Sequence, residues 1–328
     1  MSPVRALVTG ATGQDGSYLV EQLLAEGVEV HAVVRGQEPG GRPSGHLPDG
    51  VHVHTADLLA GERLEAVVAE VEPDELYNLG GLSSVALSWQ EPALTAQVSG
   101  VAVGRLLQAS HDLQERTGRP VRFVQASSAE VFGHADQVPQ DETTPVRPIT
   151  PYGAAKAYGH LLVGVYRARG LHASSCILYN HESPRRPETF VTRKVTAAAA
   201  RIARGQQDEL AMGNLDARRD WGWAPDYVAA MVLAARADEG RDYVVATGVG
   251  HSVREFVAAA FRAAGIDDWE RHVTLDPRFA RPSDAPEQLG DASRARELLG
   301  WAPTVPFEEI VARMVETDLA LTAERPPG

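Results

Sequence analysis

Tyr152 and Lys156 stand four residues apart in the run PYGAAK, a spacing that sets both side chains on one face of a helix. An ammonium beside a phenol favours the phenolate and lowers its pKa toward working pH, so Tyr152 is a candidate general base with Lys156 as its helper. Upstream, Ser127-Ser128-Ala129-Glu130 follows the apolar run Val121–Ala126. Ser128 supplies a hydroxyl that can share a substrate oxygen with Tyr152. Oxidation of an alcohol, or inversion at one carbon, needs only the serine, the tyrosine and the lysine. Glu130 adds a carboxylate, which suggests a second proton transfer such as abstraction beside a ketone followed by loss of water. Ala129 places no second carboxylate beside it, so Glu130 would serve as both base and acid. Taken alone, a Tyr/Lys pair on a helix is usually structural, and the competing reading of Glu130 is a helix cap or a surface acid.

What precedes the pair changes that balance. Gly10-Ala11-Thr12-Gly13-Gln14-Asp15-Gly16 lies directly between an apolar strand and an amphipathic helix. Glycines there allow a tight turn, close backbone approach to a pyrophosphate, and close helix–strand packing, while the helix N-terminus offers free N–H groups. The small residues between Tyr152 and Lys156 would then leave room for a nicotinamide. A site for NAD usually carries an acid at the end of the second strand, on the ribose 2′-hydroxyl. Here that strand ends Val33-Val34-Arg35; a guanidinium suits a 2′-phosphate, so NADP is expected, the competing reading being a solvated surface arginine. Asp57 and Leu58 follow the third strand and would lie near the adenine, although Asp57 reads equally well as a helix cap. Leu79-Gly80-Gly81 ends the fourth strand and lets backbone approach the rest of the cofactor.

These side chains need a frame, and the first half of the chain has the pattern of one. Short apolar runs at Val4–Thr9, Val28–Val34, Val51–Thr55, Glu75–Leu79, Val121–Ala126 and His172–Tyr179 alternate with helical spacing, as in Tyr18–Glu26, Leu64–Val71 and a helix starting near Tyr152. That alternation predicts a Rossmann-type doubly wound parallel sheet, with a smaller mixed α/β lobe from the less regular second half. The expected division is a cofactor domain over 1–175 with roughly 220–248 returning to it, and a substrate lobe over 176–219 and 249–328.

Composition narrows the partners. The 328 residues carry 31 Lys and Arg against 44 Asp and Glu, a formal net charge of −13. A general nucleic-acid or anionic-membrane surface is therefore not expected, and any phosphate must be caught by a local site. The single cysteine, Cys176, excludes an intrachain disulfide, and it sits in an apolar strand, where core packing is the expectation. The histidines have no ligand-like spacing, so no metal is expected. Trp221 and Trp223 are expected to wall a cleft or to pack. The first ten residues lack the apolar run of a signal peptide, and a cytoplasmic protein is expected.

From Ala6 to about Leu319 the chain resembles the GDP-mannose 4,6-dehydratase family of extended short-chain dehydrogenases/reductases, most specifically in VTGATGQDGSYL, YNLG, PYGAAK, NHESPRR, FVTRK, GNLDARRDWG and LGW. The resemblance implies a tightly bound NADP recycled within each turnover. It makes Tyr152 the acceptor of the hexose 4-hydroxyl proton and Glu130 the group that removes the C5 proton before water leaves C6. It also implies NADP contacts at His181 and Arg186, and nucleotide-sugar contacts at Asn180, Val191, Lys194, Arg219 and Arg281. Read without it, Arg185, Arg186, Arg218 and Arg219 could as well form surface ion pairs.

The chain departs from the family pattern at several positions. Ser128 stands where threonine is usual. Gly81-Leu82-Ser83-Ser84 replaces Ala-Gln-Ser-His, so that Ser83 is the hydroxyl assigned to both cofactor and sugar. Leu94 replaces a tyrosine near the cofactor. Asp284 replaces a glutamate on the substrate side, followed by Ala285-Pro286-Glu287, and Gly36–Arg42 replaces a Ser/Arg-rich loop that helps tetramers form. These changes bear on the hexose, the grip on NADP and the oligomer, for which a homodimer or homotetramer is expected. The alternative activity is that of a relative acting on another nucleotide hexose, by dehydration or by epimerisation.

Overall fold

The computed structural model describes residues 3–36, 47–279, 285 and 287–323. Arg281 and Asp284, and most of the Gly36–Arg42 loop, lie outside the described residues. Six strands of the first half come where the apolar runs predict them, within a residue at each end: β1 (Arg5–Thr9), β2 (Glu29–Val34), β3 (His52–Thr55), β4 (Glu75–Asn78), β5 (Arg122–Ala126) and β6 (His172–Leu178). Further on come β7 (Asn180–Glu182), β8 (Leu210–Met212), β9 (Arg218–Trp223), β10 (Asp242–Val245), β11 (Gly250–Ser252), β12 (Val273–Leu275) and β13 (Glu287–Gln288).

The large sheet has the order β10-β6-β5-β4-β1-β2-β3, every pairing parallel. Its order reverses between β1 and β4, and such sheets bind ligands at the strand ends beside that switch. Its central strands are buried on both faces because helices cover both, whereas the edge strand β3 is largely exposed. Ala6 and Val8 of β1 pack into one cluster with Leu19, Val20 and Leu23 of α1 (Gln14–Ala25). Leu7, between them, packs on the other face with α2 (Gly61–Val71) and with Leu106 and Leu107, which the chain reaches after α3 (Val85–Gln90), α4 (Pro92–Ala96) and a π-helical turn, Gln97–Val101, in α5 (Ala102–Thr117). The alternation of side chains along a strand makes that division. α6 (Pro151–Ala168) adds Val163 to the second cluster. Cys176, fully buried in the first, packs as expected.

The second half builds short strands around a separate core. β7, β9, β11 and β13 form a four-stranded sheet, β8 and β12 a two-stranded one. Trp221 of β9 packs there with Phe256 and Phe307, between α7 (Val191–Ala203), α9 (Val253–Ala263) and α11 (Phe307–Ala323). α8 (Ala224–Arg236) lies instead against the large sheet, contributing Tyr227, Val228 and Met231 to its core, as does α10 (Ser293–Leu299) through Ala295. Asp220 of β9 ties the two parts. One of its oxygens accepts from the Thr247 N–H (2.8 Å) and hydroxyl (2.7 Å), the other from Gly248 N–H (2.8 Å). No helix among the described residues is long and apolar enough to cross a membrane.

One buried ion pair holds α7 to α11. Arg193 donates through Nε to both oxygens of Asp318 at 3.0 Å and again through Nη2 to Oδ1. Its remaining Nη1 donates to the carbonyls of Pro184 (3.0 Å) and Arg186 (3.1 Å), fixing the loop that follows β7. Removing one partner of such a pair leaves a buried charge uncompensated. Asp318→Ala should therefore lower the unfolding free energy by about 3–5 kcal/mol, read as a lower urea midpoint at unchanged slope; an unaltered midpoint would show that the pair does not stabilise the lobe.

Candidate active site

The glycine turn is dictated by backbone proximity. Gly10 has φ +69°, in the left-handed region, and a Cβ there would lie 2.8 Å from the Gly80 nitrogen. At Gly16 a Cβ would lie 2.1 Å from the Gly10 carbonyl oxygen, so only glycine lets α1 pack this closely over the end of β1. Gly13 is the N-cap, and no side chain caps the helix, which leaves its first N–H groups for an anion. A cleft of about 440 Å³ opens over this turn. Gly10, Thr12, Gly13, Gln14, Asp15, Gly16, Arg35, Asp57, Leu58, Leu79, Gly80 and Ser83 all line it, gathered from the C-terminal ends of β1 to β4. Arg35 is exposed at its lip. Asp57 does not cap α2; its Oδ1 accepts from Leu59 N–H at 2.8 Å and closes the turn before it.

Ser128, Glu130, Tyr152, Lys156, Asn180, His181, Val191 and Arg219 line a second cleft of about 240 Å³. The two clefts share Asp15, Leu79, Ser83, Arg186 and Phe190. Thr150 accepts from Gly153 N–H at 2.9 Å and starts α6, with Pro151 at its first position. A Cβ on Gly153 would lie 2.5 Å from the Glu130 carbonyl oxygen. The glycine between Tyr152 and Lys156 thus makes room for the Glu130 backbone rather than for a ligand ring. Ser128 caps the short turn after β5, accepting from Glu130 N–H at 3.3 Å, and lines the cleft beside the Tyr152 phenol.

The electrostatics differ from the sequence expectation. Burial pushes the Tyr152 phenol up to about 12, against the hydrogen bond from Ser128, and the Glu130 charge adds to the rise. Lys156 stands 5.8 Å from the centre of the Tyr152 ring and donates to the Ala126 carbonyl at 2.8 Å. Burial brings it down to about 8, so it keeps its charge at neutral pH without holding the phenol low. Gln288 of β13, absent from the sequence expectations, is buried in the same cleft and donates to Glu130 Oε1 at 3.3 Å. A glutamine in a two-residue strand carries no pattern that would mark it.

The arginine runs divide by position. Arg185 turns out to Glu21 (2.8 Å) and over the Tyr18 ring (3.9 Å); Arg218 turns out to Glu287 (3.3 Å). Their neighbours face inward. Arg186 lines both clefts, its guanidinium 3.9 Å from the centre of the Phe190 ring. Arg219 is buried and donates to the carbonyls of Arg218 (2.7 Å) and Ala285 (2.9 Å). Lys194 is not among the lining residues: it donates to the Ala211 carbonyl at 2.6 Å and lies 3.6 Å from the centre of the Phe279 ring. Ser84 caps α3, accepting from Leu87 N–H at 3.2 Å, while Ser83 reaches both clefts.

His181 joins the two clefts. Its Nε2 is 2.8 Å from Asp15 Oδ2 and its Nδ1 2.6 Å from the Tyr179 carbonyl oxygen. Gln14 adds a hydrogen bond to the His181 carbonyl at 3.1 Å and accepts from the Ser183 hydroxyl at 2.9 Å. Burial alone would lower the imidazole, but the Asp15 carboxylate offsets it and His181 lies above its usual 6.5. Burial raises Asp15, yet His181 offsets that as well and leaves it below its usual 3.8. Stability from a raised histidine is complete below 6.5 and lost as pH rises through the folded value; that from a lowered aspartate is complete above 3.8 and lost as pH falls through the folded value. The stability difference between the wild type and Asp15→Asn, measured by urea unfolding, should be largest from about pH 4 to 6.5 and shrink above neutrality. A difference that stays flat from pH 5 to 8.5 would contradict the pairing.

The model of the family described as GDP-mannose 4,6 dehydratase matches residues 7–314. GDP-mannose 4,6 dehydratase 2 of Arabidopsis thaliana is 45% identical over 326 residues, covering 96% of this chain and 87% of that protein. The Homo sapiens GDP-mannose 4,6 dehydratase is 43% identical, covering 98% of this chain and 93% of that one, and the Vibrio cholerae enzyme 42%, covering 96% and 94%. Among solved structures, UDP-glucose 4-epimerase of Thermotoga maritima with UDP-glucose superposes with a TM-score of 0.86 at 26% identity, over 98% of this chain and 100% of that one. UDP-glucose 4-epimerase of Thermus thermophilus with NAD gives 0.83 at 29%, over 96% and 99%. With a doubly wound sheet, a glycine turn at its switch point and a Ser/Glu/Tyr/Lys cleft beside it, the chain belongs to the GDP-mannose 4,6-dehydratase family.

Proposed function

We propose that the chain binds NADP and converts GDP-mannose to GDP-4-keto-6-deoxymannose, a hydro-lyase reaction without net redox change. The observation that carries this reading is the meeting of Ser128, Glu130, Tyr152 and Lys156 in one cleft that runs into the glycine-turn cleft. The residues of the glycine turn fit a dinucleotide: an uncapped helix start lies below the cleft, and no Cβ is tolerated at Gly10 or Gly16. Arg35 would take a 2′-phosphate and Asp57 with Leu58 the adenosine, while Leu79, Gly80 and Ser83 would border the nicotinamide half. What the nicotinamide supplies when bound is a hydride acceptor for C4 that becomes the donor to C6 within the same turnover.

The protein groups move the protons. A phenol near 12 holds its proton at neutral pH, so Tyr152 takes the 4-hydroxyl proton only where positive charge gathers against it, and Lys156 is the ammonium over its ring. Ser128 shares the reacting oxygen. The resulting 4-ketone acidifies C5–H; Glu130 removes that proton and returns it to the hydroxyl leaving C6, and the proton taken up by Tyr152 balances the one C5 regains when hydride reaches C6. The hydrogen bond from Gln288 orients the Glu130 carboxylate in the cleft. His181 and Arg186 would meet the cofactor, and Asn180, Val191 and Arg219 the nucleotide sugar, with a guanidinium suited to its diphosphate. The division proposed is the cofactor on 1–175 with 220–248, against which α10 also packs, and the sugar nucleotide on 176–219 and the rest of 249–328.

We also infer self-association, as a homodimer or homotetramer, through α6. Tyr158, Leu161 and Val165 are 51%, 58% and 54% exposed and fall on one face of that helix at three- and four-residue steps. An apolar stripe of this kind is more usual at an interface than in water.

Four measurements test these readings. Denaturing the purified protein should release NADP(H), and incubation with GDP-mannose should give a product lighter by one water. Glu130→Gln should slow turnover by about 10²–10⁴-fold with release of NADP(H) unchanged. Release of NAD alone would overturn the role of Arg35; GDP-mannose recovered at unchanged mass would overturn the reaction, an epimer pointing to epimerisation; unchanged turnover in the variant would remove Glu130 from proton transfer. For assembly, light scattering behind size exclusion should give a multiple of the 35.2 kDa chain mass that falls to one chain in Leu161→Glu; a monomeric wild type would refute the interface.

A further inference from the structure

The edge of the large sheet holds a cluster that the reaction does not use. His31 on β2 and His52 on β3 are partners in the parallel register, although twenty-one positions separate them. Glu29 and His54 are each two residues away along the same strands, so alternation puts all four side chains on one face. One ligand atom each from Glu29, His31 and His52 lie within 4.8 Å of one another. We propose that Glu29, His31 and His52 form a binding site for a divalent transition-metal ion of the zinc type, with His54 supporting His31.

The donor set selects the class of ion. Two imidazoles and one carboxylate suit zinc, nickel or cobalt, whereas magnesium and calcium prefer sites made of oxygens alone. The surroundings also have the form such a site takes. A liganding histidine almost always donates its second ring N–H to an acceptor, which fixes its tautomer. His31 has that arrangement: Nε2 lies 2.9 Å from Glu29 Oε1, toward the site, and Nδ1 lies 2.9 Å from His54 Nε2, away from it. Access comes from the outside, since His52 is exposed while the His31 side chain is only 11% so. The His31 and His52 rings are stacked at 4.8 Å, and the exposed ring of His52 is the one with room to turn. Arg5 acts on Glu29, and Arg63 and Glu70 on His54, so the flanking charges are mixed. A bound ion would fasten the edge strand β3 to β2, the two strands whose ends lead to Asp57 and Arg35.

The test uses the full-length chain without a purification tag, stripped with a chelator and titrated with zinc in a calorimeter. The expected result is one site per chain, lost in His52→Ala and weakened about 10–100-fold in His54→Ala. Because the ion binds only the folded chain, zinc should also raise the unfolding midpoint of the wild type and not that of His52→Ala. His52 is exposed, and circular dichroism of the variant checks that it folds. No binding by the stripped wild type, or equal binding by His52→Ala and Glu29→Gln, would overturn the site.

Discussion

The two clefts are held in register by one buried contact, the pairing of Asp15 with His181. Asp15 lies in the first turn of the helix that follows the glycine loop, and His181 lies on the first strand after the sheet's sixth. The carboxylate is therefore a fixed point shared by the cofactor turn and by the strand that begins the second lobe. Gln14 reinforces the joint from the preceding position, bonding to the His181 carbonyl and to Ser183. Two residues that a motif reading assigns to the cofactor thus spend their polar atoms on aligning the protein with itself. They still line the cleft, but their first task is to set the distance between a nucleotide held at the glycine turn and a sugar held beyond Arg186.

From that joint the positioning runs outward through backbone. The glycines act by permitting approach: Gly10 against Gly80, Gly16 against Gly10, and Gly153 against Glu130. The last of these brings the start of the catalytic helix onto the segment that carries Ser128 and Glu130, so the phenol, the hydroxyl and the carboxylate share one corner. Lys156 is pinned one turn on by the Ala126 carbonyl, the end of the same strand. Arg193 does comparable work on the far side. Its pairing with Asp318 leaves one nitrogen to hold the Pro184 and Arg186 carbonyls, so a contact deep in the second lobe decides where a cleft arginine stands.

How much of this the residues disclosed depends on the range over which the pattern acts. The central strands of the first half were legible because a strand buried on both faces is largely apolar, the edge strand β3 less so because it is mostly exposed, and the glycine turn because few residues tolerate its backbone. The arginine runs were half legible: Arg185 and Arg186, or Arg218 and Arg219, read as equivalent until the turn after β7 and the alternation of β9 send one of each pair to solvent and the other to the cleft. Lys194 was assigned to the nucleotide sugar by resemblance, and the structure turns it to the Ala211 carbonyl and the Phe279 ring. The expectation of a phenol lowered by its lysine misjudged the balance, since burial of Tyr152 outweighs what the neighbouring ammonium can do. Gln288 and the His31–His52 neighbours were illegible for a common reason. Each owes its place to the register between strands far apart in the sequence, and register leaves no local spacing to read.

The same local logic resolves the conflict between an acidic chain and phosphorylated ligands. A net charge of −13 cannot draw a dinucleotide in by its overall field, and the clefts themselves contain Asp15, Asp57, Glu130 and Glu182 beside Arg35, Arg186 and Arg219. Attraction must therefore act over a few ångströms, through the open N–H groups at the start of the first helix and through guanidinium groups whose directions are set by neighbours. Arg186 is the clearest instance, lying on the Phe190 ring and 3.4 Å from the buried Glu182 carboxylate. An arginine held in this way loses little freedom when a phosphate arrives, which is how a site surrounded by negative charge can still select a small polyanion while the acidic exterior turns larger ones away.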